Sequence, residues 1–380
     1  MALLHLNAAS NHASSLFISS FLMTKREPII SKAMAPLTAR SRSASTSCPL
    51  QCMAHYKTSS EETNITRRSA NHQPSIWQFD YIQALTNNYA GKTYEKRVNE
   101  LKEEVKMLLE NVRDPLSKLE HIDILQRLGI SYHFEAQIKT ILEDIYNKCC
   151  CDDTWKKNNL YANALAFRLL RQQGFWLPQE VFKGFKDEKT GNFRASMCDD
   201  TKGMLSLYEA SFYLVKGESI LEEAKDFSTK HLQQYISNKE ASEDEIVVLV
   251  KHALELPLHW RISRLEARWF IDVYEKRKDM NPTLLELAKL DFNMVQSTHQ
   301  EDLKYASRWW KNTRVGQELE FARDRLMENF LWTVGKVFEP QLGYCRRMLT
   351  QVNSLITVID DIYDVYGTLE ELELFTDAVE

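Results

Sequence analysis

The sequence predicts an all-α protein, and three observations carry that reading. Chain breakers are scarce: 11 Gly and 9 Pro in 380 residues are less than half the usual share, so long segments run uninterrupted. The apolar residues of those segments recur at helical spacing. Val98, Leu101, Val105, Leu108, Leu109 and Val112 fall on one face with Lys and Glu opposite, and Ile262, Leu265, Trp269 and Val273 repeat the pattern. No run alternates apolar and polar residues convincingly, as a half-buried strand would.

The elements follow in order from punctuation. Residues 1–60 are rich in Ser, Thr and Ala and hold six Lys/Arg against one acid, Glu27. That is the composition of an organelle transit peptide, so this stretch is expected to be a disordered leader outside the fold. A helix-rich block runs from about Pro74 to the 270s, with loops marked by Gly174, Pro178, Gly184 and Lys189–Arg194. Met280–Pro282 breaks the pattern and Thr283 restarts it, which divides the remainder into domains 61–280 and 281–380. Helices are then expected around Leu284–Val295, Gln300–Trp310, Leu319–Phe330 and Pro340–Tyr366. The last stretch, TLEELELFTDAVE, opens on an N-cap residue, Thr368, and an acidic first turn. Its apolar positions continue to the final residue without a closing signal, so the helix looks cut.

Bulk charge removes several function classes. The net charge is −5, and beyond residue 60 the chain carries 42 basic against 52 acidic residues, which does not suit nucleic-acid binding. No apolar run reaches the 18 residues of a transmembrane helix. Seven cysteines do not suggest a disulfide framework in a chain of this size. Cys149, Cys150 and Cys151 are adjacent, but neither a CxxC pair nor a spaced His accompanies them, so reduced thiols fit better than zinc.

The chemistry concentrates in TVIDDIYDVYG, Thr357–Gly367. Asp360, Asp361 and Asp364 are set among Val358, Ile359, Ile362, Tyr363, Val365 and Tyr366, where an isolated carboxylate must be protonated, paired or bound to a cation. At about 100° per residue Asp360 and Asp364 share a helical face and Asp361 lies about a quarter-turn away. From Met348 to Glu380 there is no Lys or Arg against eight acids, so pairing within the helix is excluded. Hard divalent cations are the natural remedy, since Mg²⁺ uses one or two carboxylates plus phosphate oxygens. A solvated face is the bland alternative. Upstream, FARDRLMENFLW supplies Arg323 and Arg325, two apart and so nearly 200° apart on a helix. One is expected to face an anion and the other to brace acidic neighbours. Trp332 is either core or a π face that stabilises a cation without offering a nucleophile.

At these residues the sequence resembles the plant terpene synthases, specifically the angiosperm monoterpene synthases. DDIYD looks like the family's DDxxD motif, with RDR at Arg323–Arg325 placed upstream as its RxR is. RRSANHQPSIW, Arg67–Trp77, is similar to the RR-x8-W motif of plastid monoterpene cyclases. Further family-like blocks lie at Asp200–Ser211, Leu254–Glu275 and Leu287–Gln296, so the likeness covers residues 67–380. The resemblance implies an N-terminal α/α-barrel domain without chemistry of its own, then a class I α-helical bundle. It implies a plastid stromal enzyme, geranyl diphosphate as substrate and Mg²⁺ (or Mn²⁺) as cofactor. Asp360, Asp361 and Asp364 would hold metal, and Arg323 would grip the departing diphosphate. Trp332, Asn353, Ile356 and Thr357 would line the cavity that steers the allylic cation. Arg67 and Arg68 would cap the closed site during isomerisation to linalyl diphosphate.

The sequence departs from the family at one point. The second metal motif, (N/D)Dxx(S/T)xxxE, is absent, and only 16 residues follow Asp364. The catalytic bundle is therefore expected to be incomplete and the chain alone inactive, with bare hydrophobic faces. Two other readings stay open: a sesquiterpene synthase acting on farnesyl diphosphate, and a non-catalytic helical protein.

Overall fold

The structure, a computed structural model, describes residues 66–149, 155–239 and 244–379, which belong to one compact unit, Ile65–Glu380. The expected leader, residues 1–60, and most of the Cys149–Cys151 run lie outside the described residues. The described residues contain no strand; a single bridge joins Lys186 and Phe193 across the predicted Lys189–Arg194 loop. The all-α expectation holds, and no described helix is long and apolar enough to cross a membrane.

The first part of the unit is built from α1 (Phe79–Ala84), α2 (Glu95–Asn111), α3 (Pro115–Arg127), α4 (Glu135–Cys149), α5 (Leu160–Gln172), α6 (Thr201–Ser211), α7 (Ser219–Ser237), α8 (Glu245–Glu255) and α9 (Ser263–Glu275). Local chemistry sets the starts. Asp114 caps α3 by accepting from Ser117 N–H at 2.8 Å with Pro115 in the first turn, and Asp200 caps α6 by accepting from Gly203 N–H at 2.8 Å. In α2 the predicted face is the buried one, through Val98, Leu101, Val105 and Leu109. Burying each of these side chains contributes roughly 1.5–3 kcal/mol. Consecutive helices α5, α6, α7 and α8 pack in sequence, enclosing a large core that runs from Val98 to Ala288.

Helix α9 corrects the periodicity reading. Leu265 is 58% exposed, whereas Arg264 and Glu266 are buried beside Ala267, Phe270, Ile271 and Tyr274. Two charged residues take the inner face because each finds a partner there: Arg264 faces Asp291, and Glu266 faces His252.

The two helices expected over Leu284–Val295 and Gln300–Trp310 are one, α10 (Pro282–Thr313), capped by Asn281 Oδ1 on the N–H groups of Thr283 and Leu284. The polar gap Gln296–His299 contains no Gly or Pro, so the backbone continues through it. His299 instead receives a neighbouring loop, meeting Phe338 O at 2.7 Å. At 32 residues and 1.5 Å per residue this helix is about 48 Å long. Leu284, Leu285, Leu287 and Ala288 belong to the first core, Leu303 to a second with Ile82, Phe330 and Val334, and Ala306 and Trp310 to a third with Leu326 and Val358. The chain therefore passes from one core to the next inside a single rigid helix.

After a short turn, α11 (Val315–Glu318), come α12 (Leu326–Lys336), α13 (Gly343–Asp361) and α14 (Leu369–Val379). The expected helix Leu319–Phe330 begins only at Leu326. Residues 319–325 form a loop, in which the Arg323 N–H bonds the Asp361 carboxylate at 2.7 Å rather than a helical carbonyl. Pro340–Leu342 makes a 3₁₀ turn before α13, and Ile362–Tyr366 a π turn after it.

Candidate active site

The end of α13 and the π turn after it divide the three aspartates as the 100° rule predicts. Asp361 is 1% exposed, while Asp360 and Asp364 are exposed. Asp361 Oδ1 stands 2.7 Å from Arg323 Nε, its Oδ2 accepts from the Arg323 backbone N–H at 2.7 Å, and His72 Nε2 lies 3.4 Å from Oδ1. The carboxylate thus anchors the loop that carries Arg323. That side chain keeps about a third of its surface open, enough to meet an anion. Asp360 and Asp364 have no hydrogen bond or ion pair among the described residues. Partial burial, with Asp364 beside it, raises the Asp360 carboxyl above its ordinary range despite the opposing pull of Arg323. The three acids expected as one metal-binding set are therefore split, and no group of three or more His, Cys, Asp or Glu among the described residues is arranged to hold a metal ion.

The π turn fixes where Asp364 points. Gly367 N–H donates to Ile362 O, five residues back, at 2.8 Å, a wide turn of the kind frequent at functional sites. A side chain at Gly367 would put Cβ 2.6 Å from Leu372 Cδ2 and 2.9 Å from Ile362 O, so the close approach requires glycine. Thr368 and Glu371 then start α14 as a capping box. Thr368 N–H donates to Glu371 Oε2 at 3.0 Å, and Glu371 N–H to Thr368 Oγ1 at 3.4 Å.

The N-terminal strap, residues 66–78, is laid over this turn. Arg67 pairs with both oxygens of Glu371, Nη2 to Oε1 at 2.7 Å, donates to Tyr366 O at 3.2 Å, and stacks over the Tyr366 ring at 4.6 Å. Tyr366 in turn stacks on Phe321 at 3.7 Å. The Arg67 hydrogen bonds, with the Thr368 N–H, hold the Glu371 carboxyl down at about 2. Arg325 donates to Gln73 O at 2.8 Å and to Asp324 O at 2.9 Å, and so fastens the strap rather than an acid. Arg68 is exposed.

The remaining expected lining residues fall into two groups. Asn353 and Thr357 join α13 to α12: Asn353 Nδ2 donates to Thr333 Oγ1 at 3.4 Å, and Asn329 Nδ2 to Thr357 Oγ1 at 3.2 Å. Trp332, 58% exposed, and Ile356, 49% exposed, lie open, together with Val352, Leu355, Ile359 and Tyr363. By helical spacing Val352, Leu355, Ile356 and Ile359 of α13 make an apolar stripe, continued by Tyr363 of the π turn, with Asp360 and Asp364 at its edge. Sequence reasoning missed Glu371, although T-x-x-E before an apolar run was the available signal. It also missed His72, Gln73 and Asn329, for which no local signal exists.

This arrangement, an apolar surface edged by two uncompensated carboxylates and an anchored arginine, can bind an oxygen-liganded cation, an anion and a hydrocarbon side by side. Two family models match the chain: the terpene synthase N-terminal domain over residues 76–254, and the terpene synthase family metal binding domain over residues 311–380. A chloroplastic myrcene synthase of Quercus ilex is 59% identical over 356 residues, 93% of this chain and 59% of that protein. A (−)-alpha-terpineol synthase of Vitis vinifera is 57% identical over 352 residues, again 93% of this chain and 59% of that protein. Among solved structures, limonene synthase with 2-fluorolinalyl diphosphate is 48% identical, with TM-score 0.78 over 82% of this chain and 58% of that one. Isoprene synthase of grey poplar, in complex with three Mg²⁺ ions and dimethylallyl-S-thiolodiphosphate, is 47% identical, with TM-score 0.71 over 80% of this chain and 56% of that one. The chain spans under two thirds of the length of each of these relatives. It belongs to the terpene synthase family.

Proposed function

We propose that the protein is a monoterpene synthase of the plastid stroma that ionises and cyclises geranyl diphosphate with Mg²⁺ or Mn²⁺ and releases diphosphate. The names of the myrcene and terpineol synthase relatives, the two myrcene synthases of Quercus ilex and Humulus lupulus being named chloroplastic, support the substrate class and the compartment. The observation that carries the reading is the division of the aspartates. Asp360 and Asp364 are all-oxygen donors one turn apart, unpaired and mutually repelling, which fits a hard divalent cation completed by phosphate oxygens. Asp361, committed to Arg323, serves better as the anchor of that arginine than as a third ligand.

When bound, the metal withdraws charge from the diphosphate and so makes it a better leaving group. The chain's own residues do the rest. Asp360 and Asp364 would hold the metal beside the apolar stripe they edge. Arg323, held by Asp361, turns its open side to the departing anion. Ile356 and Trp332 present a surface without nucleophiles, on which an allylic cation survives, with the Trp332 ring face able to stabilise it. Arg67, through Glu371 and Tyr366, fixes the π turn and thereby Asp364; Arg68 remains available for the cap.

Steady-state turnover with Mg²⁺, measured on this chain carried within a full-length terpene synthase, tests the reading. Geranyl diphosphate should give a monoterpene at a kcat/KM at least roughly tenfold above that for farnesyl diphosphate. Preference for the farnesyl substrate, or turnover unchanged by Asp364→Ala, would contradict it.

A further inference from the structure

A cavity of about 740 Å³ opens in the first part of the unit, lined by residues of α3, α6, α8 and α9, and none of the aspartates or arginines of the candidate active site borders it. Seven Asp/Glu and five Lys/Arg line it, and four of the five bases are already engaged by acids or carbonyls, while the fifth, Lys239, is exposed and lies over the Tyr235 ring at 5.1 Å. Arg127 is bound by Asp123 and Glu209, Lys202 by Glu120 at 2.9 Å, and Arg277 by Asp279 at 2.8 Å. Arg261 donates to the carbonyls of Leu256 and His252. Such a lining, acidic in excess and with four of its five bases committed, does not suit a diphosphate.

It does have an acceptor to spare. Glu266 is 6% exposed, and its Oε2 takes the His252 Nε2 contact at 2.7 Å, with Arg261 Nε at 3.7 Å. Its Oε1 is buried with no hydrogen-bond partner, a state that buried carboxylate oxygens rarely keep. The imidazole of His252 lies flat on Trp269, 3.4 Å between ring centroids, so the carboxylate sits beside a rigid aromatic wall. On another part of the lining Lys202 already rests its ammonium over Tyr161 at 3.8 Å, the interaction that an organic cation would repeat.

We propose that this cavity is a binding site for a small organic ammonium ion, received by Glu266 Oε1 and an aromatic face, separate from the diphosphate chemistry of the aspartate helix. A donor bearing positive charge satisfies the orphan oxygen and offsets the acidic excess at once; an anion does neither. The proposal does not depend on the terpene-forming reading.

Isothermal titration of the full chain with spermidine tests it, with glucose and inorganic pyrophosphate as comparison probes. Saturable one-site binding of spermidine is expected, with no saturable binding of the other two. Glu266→Gln, which keeps the His252 contact but removes the charge, should weaken spermidine at least tenfold. Leu249→Trp, which fills the cavity from α8, should abolish binding and keeps the test alive if the first variant does not fold. Absence of saturable spermidine binding, equal binding of glucose, or spermidine affinity untouched by both variants overturns the proposal.

Discussion

Two regions of this molecule meet the same problem, acids embedded in apolar surroundings, and solve it in opposite ways. In the first core Asp123 and Glu209 are closed off by Arg127 and Arg168: Arg127 holds Glu209 at 2.6 Å and Asp123 at 3.0 Å, and Arg168 reaches both acids. The guanidinium groups keep the Asp123 carboxyl at about 2, against a burial that would raise it. Every charge there is answered from within the chain. At the end of α13 and in the π turn after it only Asp361 is ion-paired, by Arg323, while Asp360 and Asp364 are exposed with no ion-pair partner among the described residues. A closed network holds a fold together; an open pair of carboxylates raises the energy of the fold until a cation arrives.

That contrast can be broken at several points. The largest effect is expected from Asp364→Ala, which should lower turnover of geranyl diphosphate by about a thousandfold or more, several kcal/mol of transition-state stabilisation. Circular dichroism should meanwhile stay unchanged. In the closed network, Glu209→Ala leaves Arg127 and Arg168 short of a counter-charge and should cost about 3–5 kcal/mol of unfolding free energy, read by urea titration. A smaller effect is expected from Asp361→Asn, which keeps a hydrogen-bond acceptor for Arg323 but removes the charge. Turnover should fall roughly ten- to hundredfold, less than for Asp364→Ala; equal losses would return Asp361 to the metal set.

The subtlest tests are of pH and charge. The Glu371 carboxyl is held down to about 2 by Arg67, so the clamp's contribution is fully present above the ordinary glutamate pKa of about 4.3 and is lost as pH falls toward 2. Proteolytic cleavage within residues 66–78 should accelerate over that acid window, and Glu371→Gln should accelerate it at neutral pH. Asp360 is shifted the other way, so its charge disfavours folding once pH passes the ordinary aspartate range. Asp360→Asn should therefore raise the melting temperature of the metal-free protein at pH 7 while it lowers turnover, a divergence that a merely structural aspartate would not show.

Much of this was legible in the sequence, and the limits have physical causes. The 100° rule separated Asp361 from Asp360 and Asp364, and Thr368 announced the start of α14, because both depend on residues within one or two turns. The Arg323–Asp361 contact spans 38 residues and turned an expected helix into a loop, which no local pattern signals. The fusion of α10 hid behind polar Gln296–His299, whose partner is the loop at Phe338. Leu265 and Glu266 exchanged their expected places because pairing of Glu266 with His252 outweighed apolar spacing. The strap contacts of Arg67 reach across about 300 residues, from Arg67 to Tyr366 and Glu371. An RR-x8-W motif marks that such contacts exist without saying where they land.

The account rests on Asp360 and Asp364 holding the cation while Asp361 holds Arg323. Crystallographic determination of the protein with Mg²⁺ and a non-hydrolysable geranyl thiolodiphosphate tests that most directly. Metal density within about 2.1 Å of oxygens of both Asp360 and Asp364, with Asp361 still bound to Arg323, is the predicted result. Metal on Asp361 with Arg323 released, or metal bound away from Asp360 and Asp364, would contradict it.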